Sequence, residues 1–468
     1  MKNLIIACLI SVGFFVTVYG QYGSEGNEDA RRMGLGNTSN AISQGVYSIG
    51  INPANLLNSY STVDLSTILP LPHISASAGT NFITINNINY YSGRFLNDND
   101  KQNLNTIFQN GGIVQGNASV TLLSFGLRFG PSIGAIGFSI NDFVESDFTV
   151  PHSLSNLLLN GNPQNSIYTF DDTKFNAWYV RSYSLSYARD FTGVMPDYIK
   201  SLTAGLSIKY YQGFAYAQSM QVNNNSLQTG SNNQIILNSN YVIHSAFSNE
   251  FNIKYSFDST TTNADPKASP FPSPVGTGLG FDIGFNADIY NNWNVSLAIT
   301  DIGSILWNKS TAITTSNGQY TLTDLFNSTQ GDSIKNKFKG ISVPGGSFTT
   351  QLPTTLRIGA AHKFYSFGGS FPGTLLLAVD INHGFNNEPG NSTDTRYSFG
   401  GEWQMAHGVP FIRTGISFGG LLGFHWGLGL GIDTGLLEFN FATLDLQSLV
   451  KPNSAKYLSV ALDSRWKF

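Results

Sequence analysis

The stretch from Tyr457 to Phe468 limits what this chain can fold into more than any other. Taken alternately, Leu458, Val460, Leu462, Trp466 and Phe468 fall on one side, and Ser459, Ala461, Asp463, Arg465 and Lys467 on the other. Side chains of a strand alternate between faces, so one face is apolar and the other carries charges of both signs. Such a strand separates oil from water. In a soluble sandwich the apolar face meets a second sheet; in a membrane barrel it meets lipid, and the polar face lines the lumen.

Composition argues for the barrel. Charged residues make up 12% of the 468, about half the usual share, beside 49 glycines and 13% aromatics. Past the N-terminus there is no uncharged run long enough for a helical membrane span. Low charge without such spans is what alternating lipid-facing and water-facing residues produce. The net charge of −4 gives no basis for binding nucleic acid. At the N-terminus, Lys2, an apolar run from Leu4 to Val18 and the small-residue site Val18-Tyr19-Gly20 make residues 1–20 read as a secretory signal peptide. The run is short for a membrane anchor. The only cysteine, Cys8, lies within it, so the exported chain is expected to carry no thiol chemistry.

Connection lengths carry the count. Outer-membrane barrels have short periplasmic turns and longer extracellular loops. Strands are expected near 62–80 (broken by Pro70 and Pro72), 117–129, 133–142, 177–189, 202–211, 277–288 and 293–301, and seven more follow between 354 and 468. Tight turns at Gly130-Pro131-Ser132 and Asn291-Asn292 alternate with long polar connections, the longest ending near Val275. The sum is an all-β, transmembrane antiparallel barrel of fourteen strands spanning residues 61–468, or sixteen if a strand pair hides in the connection before Val275.

Two stretches resemble known families. The strand ending on Phe468 resembles the C-terminal signal strand of bacterial outer-membrane proteins. In the non-strand segment 21–60, Arg31-Arg32-Met33-Gly34-Leu35-Gly36 and then Asn52-Pro53-Ala54 resemble the N-terminal plug, or hatch, of FadL-type transporters and their PorV-like relatives. That resemblance implies a plug folded inside a fourteen-stranded outer-membrane barrel. It departs at Asn55, where the family has glycine. A FadL-like use would be passive carriage of small hydrophobic molecules. A PorV-like use would be an accessory subunit of a protein secretion or assembly complex, such as type IX secretion. The partners implied are outer-membrane lipid and either a small hydrophobic ligand or that complex.

Face assignment sends Leu377, Val379, Phe399, Trp426, Leu430 and Phe441 outward. The inward face collects Arg357, Asp380, Arg396, Glu402, Arg413, Asp433, Glu438, Asp463 and Arg465. On the lipid face at mid-depth a lysine or arginine costs roughly 2–4 kcal/mol, so these charges belong in the lumen. They form either an ion-pair network holding strands and plug together or a lining for an anionic head group, with Arg357, Arg396 and Arg413 as donors. Arg31 and Arg32 are expected to pair with Asp433 or Glu438. Gly427, Gly429 and Gly431 share the inward face, which points to crowding by the plug. The seven histidines are scattered, none at metal-ligand spacing, and Asp171, Asp172, Asp258 and Asp265 read as solvated loop charge. Neither a metal, a cofactor nor a catalytic role is expected.

Overall fold

The computed structural model describes residues 29–59, 61–130, 132–194, 199–232, 234–253, 269–289, 292–323, 340–365, 372–406, 408–420 and 423–468. The expected signal peptide and the carboxylates Asp258 and Asp265 lie outside them. Fourteen wall strands form a closed antiparallel barrel. They are β1 (Val63–Thr67 continued by His73–Thr80), β2 (Gly112–Gly130), β3 (Gly134–Val150), β4 (Lys174–Asp190), β5 (Ile199–Val222), β6 (Gly276–Ile289) and β7 (Trp293–Trp307). The second half comprises β8 (Thr355–Tyr365), β9 (Thr374–Gly384), β10 (Arg396–Gln404), β11 (Phe411–Gly419), β12 (His425–Asp433), β13 (Leu437–Thr443) and β14 (Tyr457–Lys467). Closure is complete because β1 pairs with β2 on one side and β14 on the other, with Leu65 opposite both Phe125 and Trp466. No wall strand is left with an open edge, as lipid demands of a spanning sheet. The expected break in β1 falls at residues 68–72, around Pro70 and Pro72.

Outside, the apolar face is continuous from strand to strand. Leu185, Ile208, Phe281 and Ile302 sit side by side in register across β4 to β7, all exposed. Inside, the same strands present small polar residues such as Ser184, Ser186 and Ser207. A barrel with this belt is built for a bilayer.

Several strands run further than the sequence suggests. β2 starts at Gly112, β3 reaches Val150 and β5 reaches Val222, because their outer ends continue past the belt to pair with one another and with loop strands. The long connections are also more ordered than a polar loop implies. Helices α1 (Ile85–Tyr91) and α2 (Asp98–Ile107), each opened by a capping box, fill the first. Strand Ile235–Phe247 pairs with the outer end of β5 and with Thr311–Leu322, which in turn pairs with Ile341–Pro344. These strands pair among themselves above the wall, so they do not raise its number to sixteen. One outer connection, 420–424 between β11 and β12, is as short as an inner turn.

Residues 29–59 lie within the barrel. A short helix (Ala30–Gly34) and two 3-10 turns (Gly45–Ser48 and Pro53–Asn58) are buried along nearly their whole length. Lying in the lumen, this segment is referred to as the plug.

Candidate functional site

The plug is fastened by charge at its first helix. Arg31 donates from Nε and Nη2 to the two oxygens of Glu402 (2.8 and 2.9 Å) and from Nη1 to Ile42 O (2.8 Å). Arg413 donates to the same Glu402 (2.6 Å) and to Asn440 Oδ1 (2.6 Å). Asp463 accepts from the Ala30 amide (2.7 Å), the Tyr47 hydroxyl (2.6 Å) and Asn440 (2.8 Å). Arg465 bonds Glu438 (2.6 Å) and Gln44 O (3.2 Å), and its guanidinium lies 4.7 Å from the Tyr47 ring centre. Asp380 accepts the Ser39 and Asn40 amides (2.6 and 2.8 Å). Arg357 bonds Thr300 (3.3 Å) and Asn382 (3.2 Å).

Most of the inward charges are therefore gathered around the plug, with three corrections. Arg31 pairs with Glu402, not with Asp433 or Glu438. Asp433 stands at the inner rim on Lys467, away from the plug. Arg32 pairs with neither expected partner: its amide is capped by Asp29 (2.8 Å), and its buried guanidinium meets no hydrogen-bond acceptor among the described residues, lying in the field of Asp29 and Asp380. Arg396 is buried near Asp380. At this level Arg31, Arg32, Arg357, Arg396, Arg413 and Arg465 face six carboxylates, those of Asp29, Asp64, Asp380, Glu402, Glu438 and Asp463.

The wall is cut to the plug's backbone. Gly36, at φ +66, lies against Gly415 and Ile416 so closely that a Cβ there would meet Gly415 C at 2.7 Å. Gly427 and Gly429 make room for Met33 and Gly34, as the crowding argument expects; Gly431 instead makes room for the Arg413 guanidinium. On the opposite side Asn52, Pro53 and Ala54 rest on Gly205 and Gly284, and Asn52 Nδ2 donates to Phe285 O (3.1 Å). Asn55, the departure from the family pattern, bonds Asn40 O (2.7 Å), Ser43 Oγ (2.8 Å) and Asn286, tying the two halves of the plug to β6.

Above the plug a narrow cavity remains, with about 430 Å³ of space, its open mouth included. Gly50 of the plug lies at one end, and Phe143, Trp178, Val180 and Tyr211 form its apolar wall. Three charged groups also line it. Lys209 is held between Asp282 (2.9 Å) and Asp301 (2.6 Å), Tyr211 donates to Asp301 (2.5 Å), and Glu145 accepts from the Trp178 indole (2.7 Å). Asp301 has φ +59 at a bulge between β6 and β7, a conformation rare for a residue with a Cβ. Its amide bonds Asp282 (2.8 Å) and its carbonyl accepts from Thr354 (2.7 Å), which fixes its carboxylate beside Lys209.

A loop covers this cavity. Residues 385–395 leave β9 and β10 and cross to the far side of the barrel, where Asn387 O accepts from Asn176 of β4 (3.3 Å). Gly390, at φ +75, lies directly on the Glu145 carboxylate, leaving no room for a Cβ. Glu388 beside it is close enough to Asp147 for mutual repulsion, and burial pushes its carboxyl up to about 7.

Face assignment confined to the last seven strands misses Glu145, Lys209 and Asp301. The signal was present, since Lys209 shares a face with Ser207 and Tyr211 on β5, and Asp282 faces away from the outward Phe281. His425 and Asp445, twenty residues apart, form a buried pair at 2.8 Å that spacing does not show. Among the described residues no group of three or more His, Cys, Asp or Glu is placed to hold a metal ion.

A family model described as "Family of unknown function (DUF5723)" matches residues 53–443. The chain belongs to this family. The DUF5723 span opens at Pro53 in the plug and closes at Thr443, the last residue of β13, so it takes in the aromatic cavity and its covering loop. No curated protein matches. Among solved structures, the Ralstonia pickettii toluene transporter TbuX is 13% identical, with 95% of this chain and 99% of that one covered, at a TM-score of 0.47. The Pseudomonas putida toluene transporter TodX is 11% identical, with 96% and 99% covered, at 0.47. The monoaromatic hydrocarbon channel CymD is 10% identical, with 94% and 97% covered, at 0.43. Likenesses at this level say nothing of what this lumen takes.

Proposed function

We propose that this DUF5723 protein is an outer-membrane carrier that admits small hydrophobic molecules from outside and passes them along the lumen. The observation that carries the reading is the aromatic-walled cavity between the covering loop and the plug, where an apolar molecule would leave water for Phe143, Trp178 and Tyr211. The surrounding charges are mostly bonded to one another, so the apolar wall is the cavity's main free chemistry. Passage then requires the covering loop to lift and the plug to shift.

A second reading has an observation of its own. Among the described residues the outer sheet ends at Ile341–Pro344, where Ile341 and Val343 are exposed, and such an edge can pair with a strand of another protein. A PorV-like accessory role would use that edge and leave the lumen closed. Native mass spectrometry of the protein extracted gently from its own membrane separates the two. A bound apolar molecule, lost when Phe143 and Trp178 are replaced by polar residues, supports the carrier. A stoichiometric protein partner with an empty lumen overturns it.

A further inference from the structure

The wall opposite the plug stretch Gly36–Ala41 is a single register row of inward residues. It runs from Asn286 on β6 through Ser296, Asp380, Ser398 and Ser417 to His425 on β12, with Gly359 of β8 between Ser296 and Asp380. Barrel strands are tilted, so a row of this kind climbs as it goes around the wall. Asn286 lies three residues from the inner end of β6, and Asn294 joins it (2.7 Å) to the exposed rim residue Asp288 (2.6 Å). His425 is the first residue of β12, at the outer end. The plug follows the row from outside to inside. Gly36 lies against Gly415 and Ile416, the Ser39 and Asn40 amides bond Asp380, Asn40 Nδ2 donates to Ser296 O (3.4 Å) and Ala41 O accepts from Asn286 (3.5 Å).

Along this contact the side chains do not satisfy one another. Ser398 and Ser417 are register partners, and neither buried hydroxyl has a hydrogen-bond partner. The same arrangement on β4 and β5 gives a direct bond, Ser186 to Ser207 (2.7 Å). Ser296 Oγ and Asp380 Oδ1, which leans over Gly359, are also without partners. From the plug side so are Thr38 Oγ1, Asn40 Oδ1 and the three nitrogens of Arg32, whose guanidinium lies in the field of Asp380. Left dry, each such group carries the full cost of desolvation, and buried polar groups that lack a protein partner are met by ordered water. Strands about 4.8 Å apart set successive positions at a distance one water molecule bridges. We propose that the row holds a continuous file of water from the inner rim at Asn286 to the outer end of the wall at Ser417, and that the protein conducts water across the membrane along it. Arg32 and Asp380 put fixed charges of both signs beside the file, so an ion of either sign meets one that repels it, and the permeant is small and uncharged. The inference does not rest on the carrier reading.

The test uses the full-length protein in phosphatidylcholine vesicles, with shrinkage under a sucrose gradient followed by stopped-flow light scattering. Protein-bearing vesicles are expected to shrink at least about twofold faster than protein-free ones. Ser398→Val with Ser417→Val sets methyl groups on the file, and is expected to cut the protein-dependent rate at least about fivefold because apolar constrictions close a water path by dewetting. Ser186→Ala, on β4 away from the row, is expected to leave the rate unchanged. Should the valines prevent folding, Ser398→Ala with Ser417→Ala removes only the two hydroxyls, with an expected loss of about twofold. Protein-bearing vesicles no faster than protein-free ones, or a rate that neither pair of substitutions lowers, overturns the inference. A sodium chloride conductance across planar bilayers that falls with the same substitutions overturns the restriction to uncharged molecules.

Discussion

At the residue scale, Glu402 is the joint on which the plug depends. It is the shared partner of Arg31 from the plug and Arg413 from the wall. Glu402→Gln leaves two guanidinium groups without their counter-charge, and removing one member of a buried ion pair costs about 3–5 kcal/mol. Hydrogen exchange is expected to show residues 29–59 opening while the wall strands keep their protection; unchanged plug exchange would refute that. The rim pair of Asp433 and Lys467 is partly exposed, so Asp433→Asn is expected to change the unfolding midpoint little, by under about 1 kcal/mol. Gly284→Ala tests fit, not charge. The added methyl overlaps Asn52 Oδ1, and overpacking of this kind costs about 1–3 kcal/mol, read as a lower urea midpoint for loss of plug protection.

At the scale of single elements, the covering loop 385–395 should respond to pH. Glu388 is raised to about 7 from an ordinary value of 4.5, so the docked loop holds a proton that a released loop gives up. Stability of the docked state is then fully present below about pH 4.5 and falls as pH rises toward 7, by at most about 3 kcal/mol. Asp147, beside Glu388 on the outer end of β3, acts in the same direction because it adds repulsion as it ionises. Backbone exchange in 385–395, corrected for intrinsic rates, is expected to be faster at pH 8 than at pH 5, and Glu388→Gln to shrink the difference. A loop equally protected at both values would show that the carboxylates do not govern docking.

For the molecule as a whole, the wall was largely legible in the sequence and the lumen was not. Each strand carries its own alternation, so β6 and β7 could be placed from Phe281, Phe285 and Leu297 alone. The partner of Arg31 could not, because which inward carboxylate meets the plug depends on the stagger of all the strands around the ring, a property of closure. The covering loop was hidden for a related reason, since nothing local to Pro389-Gly390 says that it lands on Glu145 of β3, far off around the barrel. The belt gives a prediction of its own. Ile208 sits in the apolar row beside Leu185 and Phe281, and Ile208→Arg is expected to cost roughly 2–4 kcal/mol if the row lies at mid-depth, read as a smaller folded fraction on insertion into vesicles. Unimpaired insertion would place Ile208 near an interface.

The seam between β1 and β14 also bears on biogenesis. β14 carries both Asp463 and Arg465, and two of the three donors on Asp463 come from the plug. The strand furthest along the described chain thus latches its earliest segment, while its Phe468 carbonyl accepts from Thr62 and Val63 to shut the ring. A nascent barrel that zipped up around a vacant lumen would trap Asp463 stripped of most of its partners. Seating the plug before the ring shuts is therefore the order of assembly that costs least.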